Sequence, residues 1–240
     1  MQEPVFPIQI TLPVRQLVEF LRRAGSIDNR FTGFDRANEG ARIHRKLQRA
    51  AVKEHADYAA EVFLRGIFAY EEIEFTLEGR ADGIFTAADG VTVVDEIKTT
   101  ACPAADITPD FAPEHWAQVI VYAAIYAAQH ELEEMRVQLT YFQVDEELIL
   151  RFERHYTAQQ LQEEVEALLA EYAPWARRAV EWKKARNSDL QAMQFPFPAY
   201  RPGQRAMAGE VYKVCRDGGQ LLCQRVSHRH AAVVAACAAH

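Results

Sequence analysis

Two carboxylates and an amine stand at a spacing that can do chemistry: Asp82 before a turn, Glu96 and Lys98 after it. The stretch 79–100, GRADGIFTAADGVTVVDEIKTT, contains two apolar-alternating runs, residues 80–86 and 91–99. They flank Ala87-Ala88-Asp89-Gly90, which ends in the glycine that a three-residue hairpin loop wants at its left-handed position. With Ala88, Asp89 and Gly90 as the loop, counting outward sets Ile84 against Val94, Asp82 against Glu96 and Arg80 against Lys98. The two-residue period of a strand puts Glu96 and Lys98 on one face. Carboxylates opposite each other have Cβ atoms ~5 Å apart, a repulsion that a bound divalent cation reverses. Magnesium or manganese suits such a site, because hard ions take carboxylate oxygen and keep waters that a phosphate can displace. Lys98 is placed to orient a water or to stabilise charge developing on that phosphate. The plain alternative is a solvated Asp/Glu/Lys network, since charged side chains are mostly exposed. Val93, Val94 and Ile97 argue against it by marking the second strand as buried.

The same residues carry a family likeness. Asp82, then Glu96-Ile97-Lys98 after a hydrophobic strand, resembles the PD-(D/E)xK nuclease motif, with Ala81 where the loosely kept proline stands. Upstream, Gly40-Ala41-Arg42-Ile43-His44 resembles the GxxxH motif, and downstream Gln118-Val119-Ile120-Val121-Tyr122 resembles the QxxxY motif, both of the RecB-type branch. The resemblance implies an α/β, restriction-endonuclease-like core, a central mixed β-sheet flanked by helices on both faces. It implies a metal-dependent deoxyribonuclease in which Asp82, Glu96, the backbone carbonyl of Ile97 and His44 hold magnesium or manganese and Lys98 assists the attacking water. It also places Gln118 and Tyr122 near the catalytic face, bonding active-site groups or the DNA strand. A non-catalytic DNA-binding or regulatory module that keeps the fold without the chemistry is the rival expectation; the intact Asp82, Glu96 and Lys98 speak against it.

The surrounding elements follow from periodicity. An extended piece, residues 5–10, precedes a helix opened by Thr11 and Pro13, with Val14, Leu17, Val18 and Leu21 on one face. After a turn-rich segment, 26–33, a second helix spans about residues 35–52, with Ile43, Leu47, Ala50 and Ala51 as its buried stripe. On it Arg42, Arg45, Lys46 and Arg49 recur at i, i+3, i+4 and i+7, gathering positive charge on one side as a candidate phosphate track. Strands are expected over 58–64 and 67–77, a loop over 99–113, and a helix over 114–130 that aims Gln118 and Tyr122 the same way. Two further strands, 135–144 and 147–153, lead to a long helix capped by Thr157, with Leu161, Val165, Leu168, Leu169, Tyr172 and Trp175 inward.

Composition bounds the remainder. A chain of 240 residues, 49% hydrophobic and 25% charged, can bury a sizeable core. Its net charge of −7 does not advertise a nucleic-acid binder. The acidity is local, with nine acidic against two basic residues between Glu61 and Glu96, so a cation suits that region and DNA contacts must come from elsewhere. No apolar run reaches the ~20 residues that span a bilayer, and no signal peptide is seen, so a cytoplasmic location is expected. Some RecB-type relatives carry a four-cysteine iron–sulfur cluster; Cys102, Cys215, Cys223 and Cys237 lack that arrangement, and no cluster is expected.

Beyond about residue 190 the character changes. Residues 195–204, FPFPAYRPGQ, with a following helix 205–215 and the apolar run 221–224, resemble the start of a superfamily 2 helicase of the DinG and XPD kind. In those proteins a Gly-rich loop with Gly-Lys-Thr comes next, whereas here the chain reads Arg225-Val-Ser-His-Arg-His-Ala. No G-x-x-x-x-G-K-[ST] occurs, and without its backbone donors and lysine a triphosphate is not held. The expected organisation is a nuclease domain, 1–190, and a truncated helicase N-terminal segment, 191–240, that lacks the Walker A loop and binds no ATP. Its residues after Gln224 are suspected to be aberrant sequence, and 195–240 are expected to pack poorly. A helicase domain or subunit is thus an expected partner, beside DNA.

Overall fold

A computed structural model describes residues 8–22, 33–194, 197–224 and 233–236. The chain divides into two compact units, Met1–Trp182 and Lys183–His240.

The first unit is arranged around one strand, β3 (Ile73–Thr86), whose two edges are used differently. Along one edge runs β2 (Ala59–Tyr70), antiparallel, from Tyr70 opposite Ile73 to Ala59 opposite Ile84. Two strands share the other edge. β1 (Ile8–Pro13) is parallel to it from Ile73 to Glu78, and β4 (Thr92–Thr100) is antiparallel from Gly83, opposite Asp95, to Thr86, opposite Thr92. Residues 79–82 have no strand beside them on that edge. β4 continues past the break, parallel to β5 (Glu134–Gln143), and β6 (Leu148–Thr157) closes the six-stranded mixed sheet antiparallel to β5.

Helices cover both faces. A parallel β4–β5 pair needs a crossover, supplied by α3 (Pro113–His130), which starts with proline at its first turn, where no N–H is required. α3 packs with α1 (Val14–Arg22) and the buried stripe of α4 (Ala158–Ala192) against Phe75, Val94 and Leu139. α2 (Gly33–Glu54) lies on the opposite face, with Ile43 and Leu47 against Ile97 and Phe142. β4 is therefore buried on both sides. Val94, Glu96 and Lys98 face α3, and Asp95 and Ile97 face α2. This is the α/β, restriction-endonuclease-like class expected from the sequence.

The hairpin of residues 79–100 closes as counted. Ala87 N donates to Val91 O at 2.9 Å, Gly90 N donates to Ala87 O at 2.9 Å with Gly90 at φ 87°, and Ile84 stands opposite Val94. The ladder stops at Gly83 and Asp95, however, so Asp82 and Glu96, and Arg80 and Lys98, are not strand partners. Upstream, the boundary expected between residues 64 and 67 is absent. β2 is continuous to Tyr70, and the turn falls at Glu71 and Glu72, with Glu71 at φ 50°. No glycine or asparagine marks that turn; Arg177 of α4 holds it instead, pairing with both glutamates.

Two helix stripes also differ. Ala50 is exposed and Gln48 is buried in its place, because Gln48 has polar partners inward. On α4, Trp175 is 56% exposed, while Ala173 and Ala176 take the inward positions, small enough for close helix packing. The Thr157 cap is reciprocal: Gln160 N donates to Thr157 Oγ1 at 3.2 Å and Thr157 N to Gln160 Oε1 at 2.9 Å. Residues 5–7, 26–32, 195, 196, 225–232 and 237 lie outside the described residues. In the second unit, α5 (Gln204–Asp217) buries no residue, and β7 (Leu221–Gln224) pairs antiparallel with β8 (Val233–Ala236). The apolar run 221–224 thus has a partner strand within this chain.

Gly83 lies beneath the Tyr58 phenol, where a Cβ would collide with the ring. Gly83→Ala is expected to cost about 1–3 kcal/mol, as overpacking of a rigid core does. Tyr58→Ala in the same chain should recover part of that loss, a coupling read from denaturant midpoints.

Candidate active site

Because the β3–β4 ladder ends at Gly83 and Asp95, the next residues of both strands need other partners for their backbone groups. Asp82 supplies one: its Oδ2 accepts the Ile97 N–H at 2.7 Å. Tyr122, reaching from α3, fills the space over Gly79, where a Cβ would meet its hydroxyl. The break is therefore closed by side chains, and it brings Asp82 beside β4.

Glu96 is 3% exposed on the α3 face. Its Oε1 accepts Lys98 Nζ at 2.7 Å and Gln118 Nε2 at 2.7 Å, and Gln118 Oε1 accepts the same ammonium at 3.1 Å. One oxygen is thus held by two donors that are locked to each other. The other, Oε2, is sealed from solvent with no hydrogen-bond partner among the described residues. Burial pushes the Glu96 carboxyl up to about 7, opposed by the Lys98 charge. Lys98, with 23% of its side chain exposed, opens onto a cavity of about 380 Å³ lined also by Arg15, Glu19, His44, His115 and Gln118.

From the opposite face, α2 brings His44 Nδ1 to 3.6 Å from Asp82 Oδ1, and the Asp82 carboxylate holds the imidazole above its ordinary pKa. One turn further, Gln48 Nε2 donates to the Asp82 carbonyl and to Glu61 Oε1, both at 3.0 Å, which ties α2 to the strand carrying Asp82. Behind Glu96, Asp95 accepts Gln138 Nε2 at 3.0 Å and Thr140 Oγ1 at 2.6 Å, and burial raises it to about 6. Arg42 and Arg45 lie on the exposed side of α2 with Lys46, Arg49 and Lys53, lining a shallow basic groove.

The model of the PD-(D/E)XK nuclease superfamily matches residues 14–202. The chain belongs to this superfamily. The match runs from the start of α1 through the break in the sheet and past α4, twelve residues beyond the expected boundary at 190. Among solved structures, the PD-(D/E)XK chain is similar to the crystal structure of SSO0001, with 18% identity and a TM-score of 0.44 over 71% of this chain and 77% of that one. It is also similar to LHK-Exo in complex with dAMP, with 14% identity and a TM-score of 0.39 over 75% of this chain and 94% of that one. No curated protein matches the chain. Among the described residues no helix is long and apolar enough to cross a membrane.

PD-(D/E)XK nucleases generally use divalent metal ions, and the groups present fit one. Glu96 Oε2 is a buried, unpartnered carboxylate oxygen, the hard donor type such ions prefer. The site is not a closed cage: among the described residues no three His, Cys, Asp or Glu side chains gather tightly enough to enclose an ion. Asp82 is turned instead to the Ile97 N–H.

Each residue singled out in the sequence for this site lies in the first unit, on elements around the break. Gln118 and Tyr122 are buried, and both amide atoms of Gln118 are engaged by Glu96 and Lys98. Sequence reasoning passed over Gln48, Asp95 and His115. Gln48 sits one turn from His44, a spacing that marks a shared helix face, but its strand partners are distant in sequence.

Both Glu96 and Asp95 have folded pKa values above the ordinary 4.5 and 3.8, so folding favours their neutral forms. The stability they contribute is full below those ordinary values and is lost as pH rises through 6 to 7. In chelator, the fall in melting temperature from about pH 5 to about pH 8 should be shallower for Glu96→Gln than for the wild type.

Proposed function

We propose that this chain is a RecB-type member of the superfamily that hydrolyses DNA phosphodiester bonds with magnesium or manganese, on single strands or at ends opened by a helicase. The observation that carries the reading is Glu96 Oε2: a carboxylate oxygen kept from water and without a hydrogen-bond partner among the described residues, on the carboxylate that anchors Lys98. Asp82 and Glu96, with the Ile97 carbonyl and His44, hold the ion. When bound, the ion polarises the scissile phosphate and lowers the pKa of a water.

The remaining work belongs to the chain. Lys98 Nζ, anchored by Glu96 and Gln118, presents its free donor capacity to the cavity and orients the attacking water. Gln118 keeps the carboxylate and the ammonium in fixed relation, and Tyr122 fills the gap in the sheet at Gly79. Arg42 and Arg45, with Lys46 and Arg49, supply phosphate contacts on the exposed side of α2, away from the acidic centre.

The wider assignment is a repair or recombination module in the cytoplasm that works with a helicase. It rests on residues 191–240 and their likeness to a helicase N-terminal segment without a Walker A loop. On this reading the chain uses neither ATP nor an iron–sulfur cluster. The open donor set favours one rival, a DNA-binding module that does not cut.

Labelled single-stranded, duplex and flap DNA, incubated with manganese or with chelator, separates the two readings. Manganese-dependent cleavage is expected, reduced about 10²–10⁴-fold by Lys98→Ala, the range for loss of a positioned acid–base group. Asp82→Ala and Glu96→Ala should abolish both cleavage and the rise in melting temperature that manganese produces. Binding without cleavage in any metal supports the rival, and cleavage surviving Asp82→Ala with Lys98→Ala removes the assigned centre. For binding, Arg42→Gln with Arg45→Gln should lower the slope of log affinity on log salt by about 1.4 for a single strand, at about 0.7 per phosphate contact.

A further inference from the structure

The cavity beside Lys98 has a second wall that the proposed reaction does not use. His115, in the first turn of α3, lines it, and its Nδ1 lies 2.8 Å from the Tyr141 hydroxyl. Tyr141 is almost wholly buried on β5, and that imidazole is its hydroxyl's hydrogen-bond partner among the described residues. A buried hydroxyl proton is costly to leave unbonded, so Tyr141 O–H donates and Nδ1 accepts. The imidazole proton then sits on Nε2. Nε2 has no hydrogen-bond partner among the described residues and is not sealed from solvent, and His115 lines the same cavity as Lys98, Arg15 and Gln118. Burial and the neighbouring Lys98 and Arg15 charges hold His115 down to about 3, so it stays neutral.

Resting on the nuclease reading, we propose that His115 is a substrate-binding residue whose Nε2–H, set by Tyr141, donates a hydrogen bond to a phosphate oxygen of the nucleic-acid strand lying in this cavity. A neutral donor is suited to the place. It recognises phosphate oxygen without adding a third positive charge beside Lys98 and Arg15 and without drawing Glu96 away from its metal-binding role. Tyr141 acts as a positioning residue, because without its O–H the proton distributes between the two ring nitrogens. A His115 present only to satisfy the tyrosine would leave Nε2 with nothing to do.

Nitrogen-15 spectra of the histidine side chains in the full chain test this. The expected result is an Nε2–H tautomer for His115, a mixture of tautomers in Tyr141→Phe, and a shift of the His115 Nε2 resonance when a single-stranded oligonucleotide is added with calcium, which permits binding without turnover. In cleavage assays with manganese, His115→Ala should lower kcat/KM about ten- to a hundredfold, the worth of a hydrogen bond to a charged group. His115→Gln, whose amide nitrogen reaches the Nε2 position, should restore most of it. An Nδ1–H tautomer, an Nε2 resonance that the oligonucleotide leaves unmoved, or a loss in His115→Ala that glutamine does not recover would each overturn the inference. Should the wild type not cleave, the nuclease reading fails, while the resonance shift still decides whether His115 meets phosphate.

Discussion

A buried carboxylate with one oxygen held by two donors and the other, sealed from water, without a hydrogen-bond partner among the described residues is the constraint on which the first unit depends. Glu96 is buried against α3 at the centre of the sheet, and an unpaired charge there would cost several kcal/mol, of order 3–5 when one partner of a buried pair is lost. Lys98 and Gln118 meet that cost for Oε1 only. What is left, at Oε2, is a demand for positive charge, and a cation-binding nuclease fold is the arrangement in which that demand has a use.

The break in the sheet is how a second carboxylate, Asp82, is brought beside β4. If β3 and β4 stayed zipped beyond Gly83 and Asp95, backbone hydrogen bonds would occupy the edge from which Asp82 now reaches β4. Stopping the ladder leaves donors on β4 that must be met, and Asp82 meets one of them. Tyr122 fills the remaining space over Gly79. The same side chains that repair the sheet therefore border the candidate centre, which couples stability to the geometry of the site. Gln48 extends that coupling to α2 and, through the helix, to His44.

Charge is divided in a way that the net value of −7 conceals. Acidic groups converge at the sheet break, and the basic ones line the outward side of α2. In the proposed reaction, phosphate is attracted to that helix by long-range fields and is repelled by the carboxylates until a cation neutralises them. A metal-dependent reaction on a polyanion accommodates this separation; a stable complex at the carboxylates without an ion does not.

The amino-acid sequence by itself determined the local things: the hairpin loop at Ala88-Asp89-Gly90, the register setting Ile84 against Val94, the helix faces apart from Ala50 and Trp175, and the acidic and basic residue types at family spacings. These follow from steric preferences of single residues and from periods of two and 3.6, which act over a few positions. It did not mark the turn at Glu71 and Glu72, because that turn is held by Arg177 from another element. Nor did it reveal where the β3–β4 ladder stops, that Gln118 grips Glu96 and Lys98, or that Tyr141 meets His115. Only the tertiary structure decided those, since each is a contact between segments far apart in the chain, chosen by packing and by the need of buried polar groups for partners, neither of which has a local pattern.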